Sequence, residues 1–191
     1  MQPIILASAS PRRQELLANL GIDFVIRVSE VDETLEEHIS PAQQVERLAE
    51  RKAAAVAVDI QDGLVIGADT LVFNAGQVLG KPINREDAVK MIETLQGKSH
   101  EVFTGIAVID AATGQAVVTH QATAVRFKSM TREQIERYVN TGEPMDKAGG
   151  YAVQGKASVF IDSIRGCYYN VVGLPVSKLA DVLRRFGVEI I

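Results

Sequence analysis

The sequence predicts an α/β fold, because short apolar runs of strand character alternate with capped segments of helical period. The first run, Ile4–Ala7, leads through Ser10-Pro11 into a helix, since serine is a good N-cap and proline a good first helical residue. Two further runs cover Phe24–Val28 and Leu64–Ile66. Between them, the capping box Ser40–Gln43 opens a long helix.

The second half of the chain adds antiparallel strands and further helices. Turn residues at Asn74–Gly76 predict a hairpin, and the runs Val102–Ile109 and Ala116–Phe127 predict a long ribbon. A strand is expected at Val159–Ile161, and Glu143–Tyr151 is expected to be either a mobile linker or a shaped binding loop. Helices are predicted to begin at Asn84, at a second capping box, Thr131–Gln134, and near Pro175.

Composition limits the classes of function. The chain has 191 residues, which predicts one domain. Its formal net charge of -4 argues against a protein that coats nucleic acid or an anionic membrane. The single cysteine, Cys167, excludes an internal disulfide and fits a reducing compartment, and no apolar run has the length of a membrane helix. We therefore expect a cytoplasmic protein.

Asp69 is the first candidate functional residue. It follows the apolar run Leu64–Ile66 and the small residues Gly67 and Ala68, and it precedes Thr70. In open α/β sheets the strand ends line the ligand crevice, so an aspartate at the end of such a run is a candidate general base or metal ligand. An Asp-Thr pair can also simply cap a turn.

Arg12 and Arg13 form an unusual pair in the first turn of a predicted helix. The helix dipole disfavours a cation there by about 0.3–1 kcal/mol, and a docked anion reverses that effect. Together with Ser8, Ser10 and free backbone N–H groups, the two guanidinium groups would make a phosphate cradle. The alternative is two solvated surface arginines.

Lys52 interrupts the apolar stripe of the long helix, which runs through Val45, Leu48, Ala49, Ala53 and Val56. The lysine either extends along the stripe's edge into water or points inward. An unpaired ammonium in a core costs several kcal/mol, so an inward Lys52 must meet an anion. Asp69 or a substrate phosphate would serve.

Two loops carry further charged candidates. The acidic loop with Glu30 and Glu33 is either a solvated loop or part of a divalent cation site, because Mg²⁺ and Mn²⁺ prefer oxygen ligands. Lys81, in Gly80-Lys81-Pro82, is a candidate point charge near Asp69. A P-loop is rejected at this position, because the glycine spacing is one residue short and a proline stands where Ser or Thr must bind Mg²⁺.

Five ordered motifs resemble those of the Maf family of nucleotide pyrophosphatases, and the resemblance covers nearly the whole chain. They are Ser8–Arg13, Gly67–Thr70, Gly80–Pro82, Thr141–Pro144 with Asp146–Gly149, and Asn170–Pro175. The resemblance implies an inosine triphosphatase-like fold, with a mixed twisted sheet flanked by helices and two lobes around a central cleft. It also implies that residues 1–191 form a single domain of this kind.

The same resemblance implies hydrolysis of a nucleoside triphosphate to the monophosphate and pyrophosphate by a homodimer that needs Mg²⁺ or Mn²⁺. By this likeness Asp69 is the proton acceptor, and base specificity is set by Arg12, Thr70 and Gln154, a trio similar to that of the branch acting on dTTP and UTP. The site expected from the residues and the resemblance together comprises catalytic Asp69, Lys52 and Lys81, substrate-binding Ser8, Arg12, Arg13, Thr70 and Gln154, and metal-binding Glu33 and Asp69.

Two other functions stay open at this point. The chain could be a non-catalytic nucleotide sensor that regulates cell division through a partner, or a phosphotransferase. Neither rival gives pyrophosphate as its product.

Overall fold

The computed structural model describes residues 2–28, 30–36 and 38–191, in which seven strands form one mixed sheet of order β2-β1-β3-β5-β6-β7, with β4 paired to β3. Strand β1 is parallel to β2 and β3, whereas β4 and β7 are antiparallel to β3 and β6. The strands are β1 (Ile4–Leu6), β2 (Phe24–Ile26), β3 (Leu64–Asn74), β4 (Gln77–Leu79), β5 (Ser99–Asp110), β6 (Ala116–Phe127) and β7 (Ile161–Arg165).

Six α-helices accompany the sheet in the described part of the chain: α1 (Pro11–Ala18), α2 (Pro41–Ala57), α3 (Arg85–Leu95), α4 (Arg132–Val139), α5 (Tyr168–Val172) and α6 (Val176–Arg184). Ser40 and Thr131 both make the predicted capping boxes, and Asn84 accepts a hydrogen bond from the N–H of Asp87. The predicted α/β class, with a mixed sheet and flanking helices, is confirmed. No helix among the described residues is long and apolar enough to cross a membrane.

Three details differ from the sequence-based expectations. Strand β3 does not end at Asp69, because Val72–Asn74 continue it by pairing with β4. Lys156–Phe160 form a 3-10 helix, so β7 begins only at Ile161. Helix α5 was not predicted, since five residues are too few to show a helical period.

The loop Glu143–Tyr151 is a shaped segment rather than a linker. It contains two 3-10 turns, Glu143–Asp146 and Ala148–Gly150. The Nζ of Lys147 donates to the carbonyl of Glu143 at 3.1 Å, and the N–H of Gly149 donates to the carbonyl of Gly80 at 2.9 Å. These hydrogen bonds give the loop a defined backbone course.

The chain divides into two compact units. The first consists of Met1–Asp69, Thr104–Gln121 and Gly173–Ile191, and the second of Thr70–Phe103 and Ala122–Val172. A core cluster of the first unit joins β1, β3 and β5 to α2 through Ile5, Ala7, Ala49, Ala53, Val56, Val65, Ala107 and Ile109. The core of the second unit is built on α3 and α4, and includes Val89, Ile92, Leu95, Phe127, Ile135, Tyr138 and Tyr151.

Two glycines bring α2 close to the sheet. A Cβ at Gly67 of β3 would overlap the carbonyl of Ala49, and a Cβ at Gly105 of β5 would overlap the carbonyl of Val45. Ala49 and Val45 lie one turn apart on α2, so the helix rests on two neighbouring strands with its backbone in contact. This approach fixes the height of the α2 side chains above β3.

We expect Gly67→Ala to lower the free energy of unfolding by about 2 kcal/mol or more, because the overlapped atoms belong to helix backbone that cannot rotate away. Gly80→Ala is the matched control. Its added methyl meets nothing within 4 Å, and the expected change is under about 0.5 kcal/mol. Urea unfolding of both variants measures the difference, and equal stabilities would contradict the close approach.

Candidate active site

A buried ion pair joins α2 to β3 in the first unit. The Nζ of Lys52 donates to Oδ1 of Asp69 at 2.7 Å, and the two residues are only 9% and 8% exposed. Lys52 therefore points inward, as its place in the apolar stripe allowed, and it meets the expected anion. The alternative in which its ammonium lies in open water is excluded.

Glu33 gives the ammonium of Lys52 a second carboxylate. Its Oε1 lies 2.8 Å from Nζ of Lys52, while the Glu33 side chain remains 58% exposed. One lysine thus lies between a buried carboxylate and an accessible one. The accessible contact contributes less to stability, because water screens it.

Arg13 is held by hydrogen bonds from two directions. Its Nε donates to the carbonyl of Gly173 at 2.8 Å, and its Nη1 donates to Oγ of Ser8 at 3.2 Å. Burial lowers the pKa of the Arg13 guanidinium, the negative charge of Asp69 opposes that shift, and Arg12 reinforces it. The guanidinium is therefore fixed within electrostatic range of Asp69.

Ser8 is buried where α1 begins. Its Oγ accepts from Arg13 and from the N–H of Ser10 at 3.3 Å. Ser10 occupies the N-cap position, as predicted, although its side chain makes no cap hydrogen bond. Because a hydroxyl also carries one donor, the Ser8 O–H can still donate toward an anion at the start of α1.

The acidic loop that carries Glu33 is anchored on α2. Nη1 and Nη2 of Arg51 donate to the carbonyls of Asp32 and Thr34, on either side of Glu33, at 3.0 and 3.5 Å. Thr34 also donates to the Asp32 carboxylate through its N–H and its hydroxyl, and these hydrogen bonds lower the pKa of Asp32. Gln44 adds a further anchor by accepting from the N–H of Glu36 at 3.1 Å.

Arg51 was not among the residues selected from the sequence. It lies beside Lys52 on α2 but outside the apolar stripe, so periodicity gives no reason to select it. The available signal was its position next to the interrupting lysine. Its function here is to bind backbone carbonyls, and no charge pattern predicts such contacts.

The structure gathers five of the predicted residues in the first unit: Ser8, Arg13, Glu33, Lys52 and Asp69. Arg12 is half-buried in the first turn of α1. In the second unit, Thr70 is half-buried on β3, Lys81 is exposed after β4, and Gln154 is exposed in a turn. How these last three residues combine with the first five remains a prediction.

The carboxylates of Asp69 and Glu33 are the candidate ligands for a divalent cation. Both contact Nζ of Lys52, and no group of three or more His, Cys, Asp or Glu that could hold a metal occurs among the described residues. Mg²⁺ is commonly bound by one or two carboxylates together with waters and substrate phosphates. This donor set therefore fits a cation that arrives with a phosphorylated substrate.

Comparison with known sequences identifies the family. A family model described as Maf-like protein matches residues 3–186 of the chain. The chain belongs to the Maf-like family. A protein of Desulforamulus reducens named dTTP/UTP pyrophosphatase is 73% identical over the full length of both chains. Another of that name, from Pelotomaculum thermopropionicum, is 55% identical, also over the full length of both. The resemblance seen in the five motifs is confirmed.

A solved structure supports the fold of this Maf-like chain. A HAM1 protein from Coxiella burnetii superposes with a TM-score of 0.54, covering 97% of this chain and 100% of that one. The sequences are 18% identical, so the likeness concerns the fold.

We expect Lys52→Met to lower the free energy of unfolding by about 3 kcal/mol near neutral pH, because it leaves the Asp69 carboxylate buried without its ammonium. Adding Asp69→Asn should restore part of the loss, with a coupling energy of about 1–3 kcal/mol in a double-mutant cycle. Arg47→Met on the same helix is the control, since the ion pair that Arg47 makes with Glu36 is exposed and contributes about 1 kcal/mol or less. Additive losses in the cycle would contradict the pairing.

Proposed function

We propose that the chain hydrolyses dTTP and UTP between the α- and β-phosphates, releasing the nucleoside monophosphate and pyrophosphate. The observation that carries the proposal is the buried Asp69 carboxylate, paired with Lys52 and within electrostatic range of Arg13. Two relatives that match over their full length and share 73% and 55% identity bear the name dTTP/UTP pyrophosphatase. That shared length supports transferring their activity to this chain.

The cations act on the triphosphate. The substrate carries about four negative charges, and the Arg13 guanidinium and the Lys52 ammonium would bind part of that charge and offset its growth in the transition state. Ser8 can add a hydroxyl donor at the start of α1. Lys81 supplies a further ammonium from its exposed loop.

Asp69 acts on the water. A water molecule attacks the α-phosphorus, its proton passes to the Asp69 carboxylate, and the bond to the bridging oxygen breaks so that pyrophosphate leaves. Asp69 and Glu33 would also hold Mg²⁺ or Mn²⁺. When bound, such a cation supplies positive charge that offsets the charge on the phosphates.

Arg12, Thr70 and Gln154 select the base in this proposal. Uracil and thymine present both hydrogen-bond acceptors and an N–H donor, and a glutamine amide offers one group of each kind. The Gln154 amide is exposed, so a bound base would cover it, and a base that leaves the covered amide unpaired is then rejected. Residues 1–191 would act as one catalytic domain in the cytoplasm, a compartment to which the single cysteine is suited.

A homodimer can form through strand β2. This strand ends the sheet order, and Val25 and Ile26 are 56% and 45% exposed. The N–H of Arg27 donates to the carbonyl of Leu6 in β1. Because successive residues of a strand direct their backbone groups to opposite sides, the N–H and C=O groups of Phe24 and Ile26 face away from β1, toward the outer edge of the sheet.

Charge favours one register for this dimer. The segment Asp23–Arg27 has opposite charges at its ends and Val25 at its centre. If two antiparallel copies of this segment paired with Val25 opposite Val25, Phe24 of each copy would lie opposite Ile26 of the other. Asp23 of each copy would likewise lie opposite Arg27 of the other, so opposite charges would meet twice.

A nucleotide panel with Mg²⁺ or Mn²⁺ tests the activity. We expect pyrophosphate, not orthophosphate, from dTTP and UTP, and we expect EDTA to abolish its release. Asp69→Asn should slow the reaction by about 10²- to 10⁴-fold. Asp59→Asn, which changes an exposed aspartate, should leave the rate unchanged. Full pyrophosphate release by Asp69→Asn, nucleotide binding without hydrolysis, or a phosphorylated acceptor would each contradict the proposal.

Charge reversal tests the dimer. Asp23→Lys should raise the dimer dissociation constant by about tenfold or more, because it sets two like charges opposite each other. The double variant Asp23→Lys/Arg27→Asp should restore the dimer by exchanging the charges. Light scattering after gel filtration gives the mass of each form. A dimer that tolerates Asp23→Lys must use another surface.

A further inference from the structure

We propose that Glu143 is a positioning residue for base selection, because its carboxylate fixes the turn that presents Gln154. This inference rests on the proposed function, in which Gln154 contacts the base. All the contacts that carry it lie within the second unit.

The Glu143 carboxylate caps the 3-10 helix Lys156–Phe160. Its Oε2 accepts from the N–H of Lys156 at 2.8 Å, and its Oε1 accepts from the N–H of Ala157 at 3.3 Å. The first N–H groups of a helix have no partner inside it, and a side-chain oxygen normally satisfies one of them from the N-cap position. Here the N-cap is Gly155, which has no side chain, so a residue 13 positions from Lys156 does the capping.

Gly155 leaves the room that this carboxylate occupies. A Cβ on Gly155 would lie 2.5 Å from both carboxylate oxygens of Glu143. Its φ of -98° is open to other residues, so the requirement for glycine at this position is one of space. The carboxylate therefore packs against the backbone of the residue that follows Gln154.

The turn that carries Gln154 is closed on both sides. The N–H of Gly155 donates to the carbonyl of Ala152 at 3.0 Å, and the N–H of Ser158 donates to the carbonyl of Gly155 at 3.1 Å. Gln154 lies inside the first of these rings, with an exposed side chain. Its backbone is thus fixed, while its amide remains available to a ligand.

Glu143 is itself anchored to α4. The hydroxyl of Tyr138 donates to Oε1 of Glu143 at 3.1 Å, and burial raises the pKa of Tyr138 above its usual range, so that the group stays a neutral donor. Nζ of Lys147 binds the Glu143 carbonyl. Glu143 therefore links a helix of the core to the Gln154 turn.

Loss of the carboxylate would release the turn without removing Gln154. The N–H groups of Lys156 and Ala157 would then bind water, and the amide of Gln154 would sample several positions. Misplacing a substrate-positioning group by about 1 Å can lower the reaction rate by about a hundredfold. Base selection should therefore suffer more than hydrolysis itself.

The test combines selectivity with hydrogen exchange in the full chain. Selectivity is the ratio of kcat/KM for dTTP to that for CTP. Glu143→Ala should reduce this ratio to the value measured for Gln154→Ala. The double variant Glu143→Ala/Gln154→Ala should show the same ratio as either single variant. The same substitution should speed amide exchange at Lys156 and Ala157 by about tenfold or more.

Three variants separate positioning from general destabilisation. Gly155→Ala should reproduce both effects with Glu143 present, because its methyl displaces the carboxylate. Glu143→Gln keeps one acceptor oxygen and should recover part of the selectivity. Glu133→Ala, the matched control, removes an exposed carboxylate of α4 that pairs with Arg137 and contacts neither of the two N–H groups, so the selectivity should remain.

The outcomes distinguish this inference from the proposed function. If Gln154→Ala loses selectivity and the folded Glu143→Ala and Gly155→Ala variants keep it, the inference is wrong and the proposed function stands. If the unsubstituted chain hydrolyses neither dTTP nor UTP, the proposed function is wrong and the inference falls with it. If the chain hydrolyses both but Gln154→Ala keeps the selectivity, the proposed role of Gln154 in base selection is wrong, and the inference falls while the hydrolytic function stands.

Discussion

The buried ion pair between Lys52 and Asp69 is the constraint on which the first unit depends. Neither charge can leave water without the other, and their atoms meet only if α2 lies against β3. Gly67 and Gly105 permit that approach because they leave room for helix backbone where side chains would collide. The close packing at these two glycines thus determines the position of Lys52, which lies three and seven residues after the contact points Ala49 and Val45 on α2.

The pair also organises the charges around it. Glu33 shares the ammonium of Lys52, and Arg13 lies within electrostatic range of both carboxylates, so two cations and two anions nearly balance in the absence of a substrate. An arriving triphosphate would compete with Glu33 and Asp69 for these cations. The exposed Glu33 contact is the weaker one, because water already screens it, and it is the easier of the two to rearrange.

Periodicity and capping made much of this predictable. A lysine within an apolar stripe, if it pointed inward, had to meet an anion, and capping boxes located the starts of α2 and α4. The partners were harder to predict, because periodicity reports which face is buried and not which distant segment covers it. The anchoring of the acidic loop by Arg51 uses backbone carbonyls, which have no sequence signature. The hairpin pairing of β3 with β4 was predicted from the turn at Asn74–Gly76, but the apolar run before Asp69 did not indicate that one strand continues through Asp69 into that hairpin.

Two acidic residues illustrate how far surroundings decide what a carboxylate does. Asp69 faces an ammonium and a guanidinium, so its charge belongs to a cluster that can act on phosphate. Glu143 faces two backbone N–H groups and a tyrosine hydroxyl, so its charge fixes a turn. Both lie in motifs shared with the Maf family, and motif membership alone would give them equal weight. The donors around each one separate the residue proposed to act on the triphosphate from the residue proposed to position the amide of Gln154.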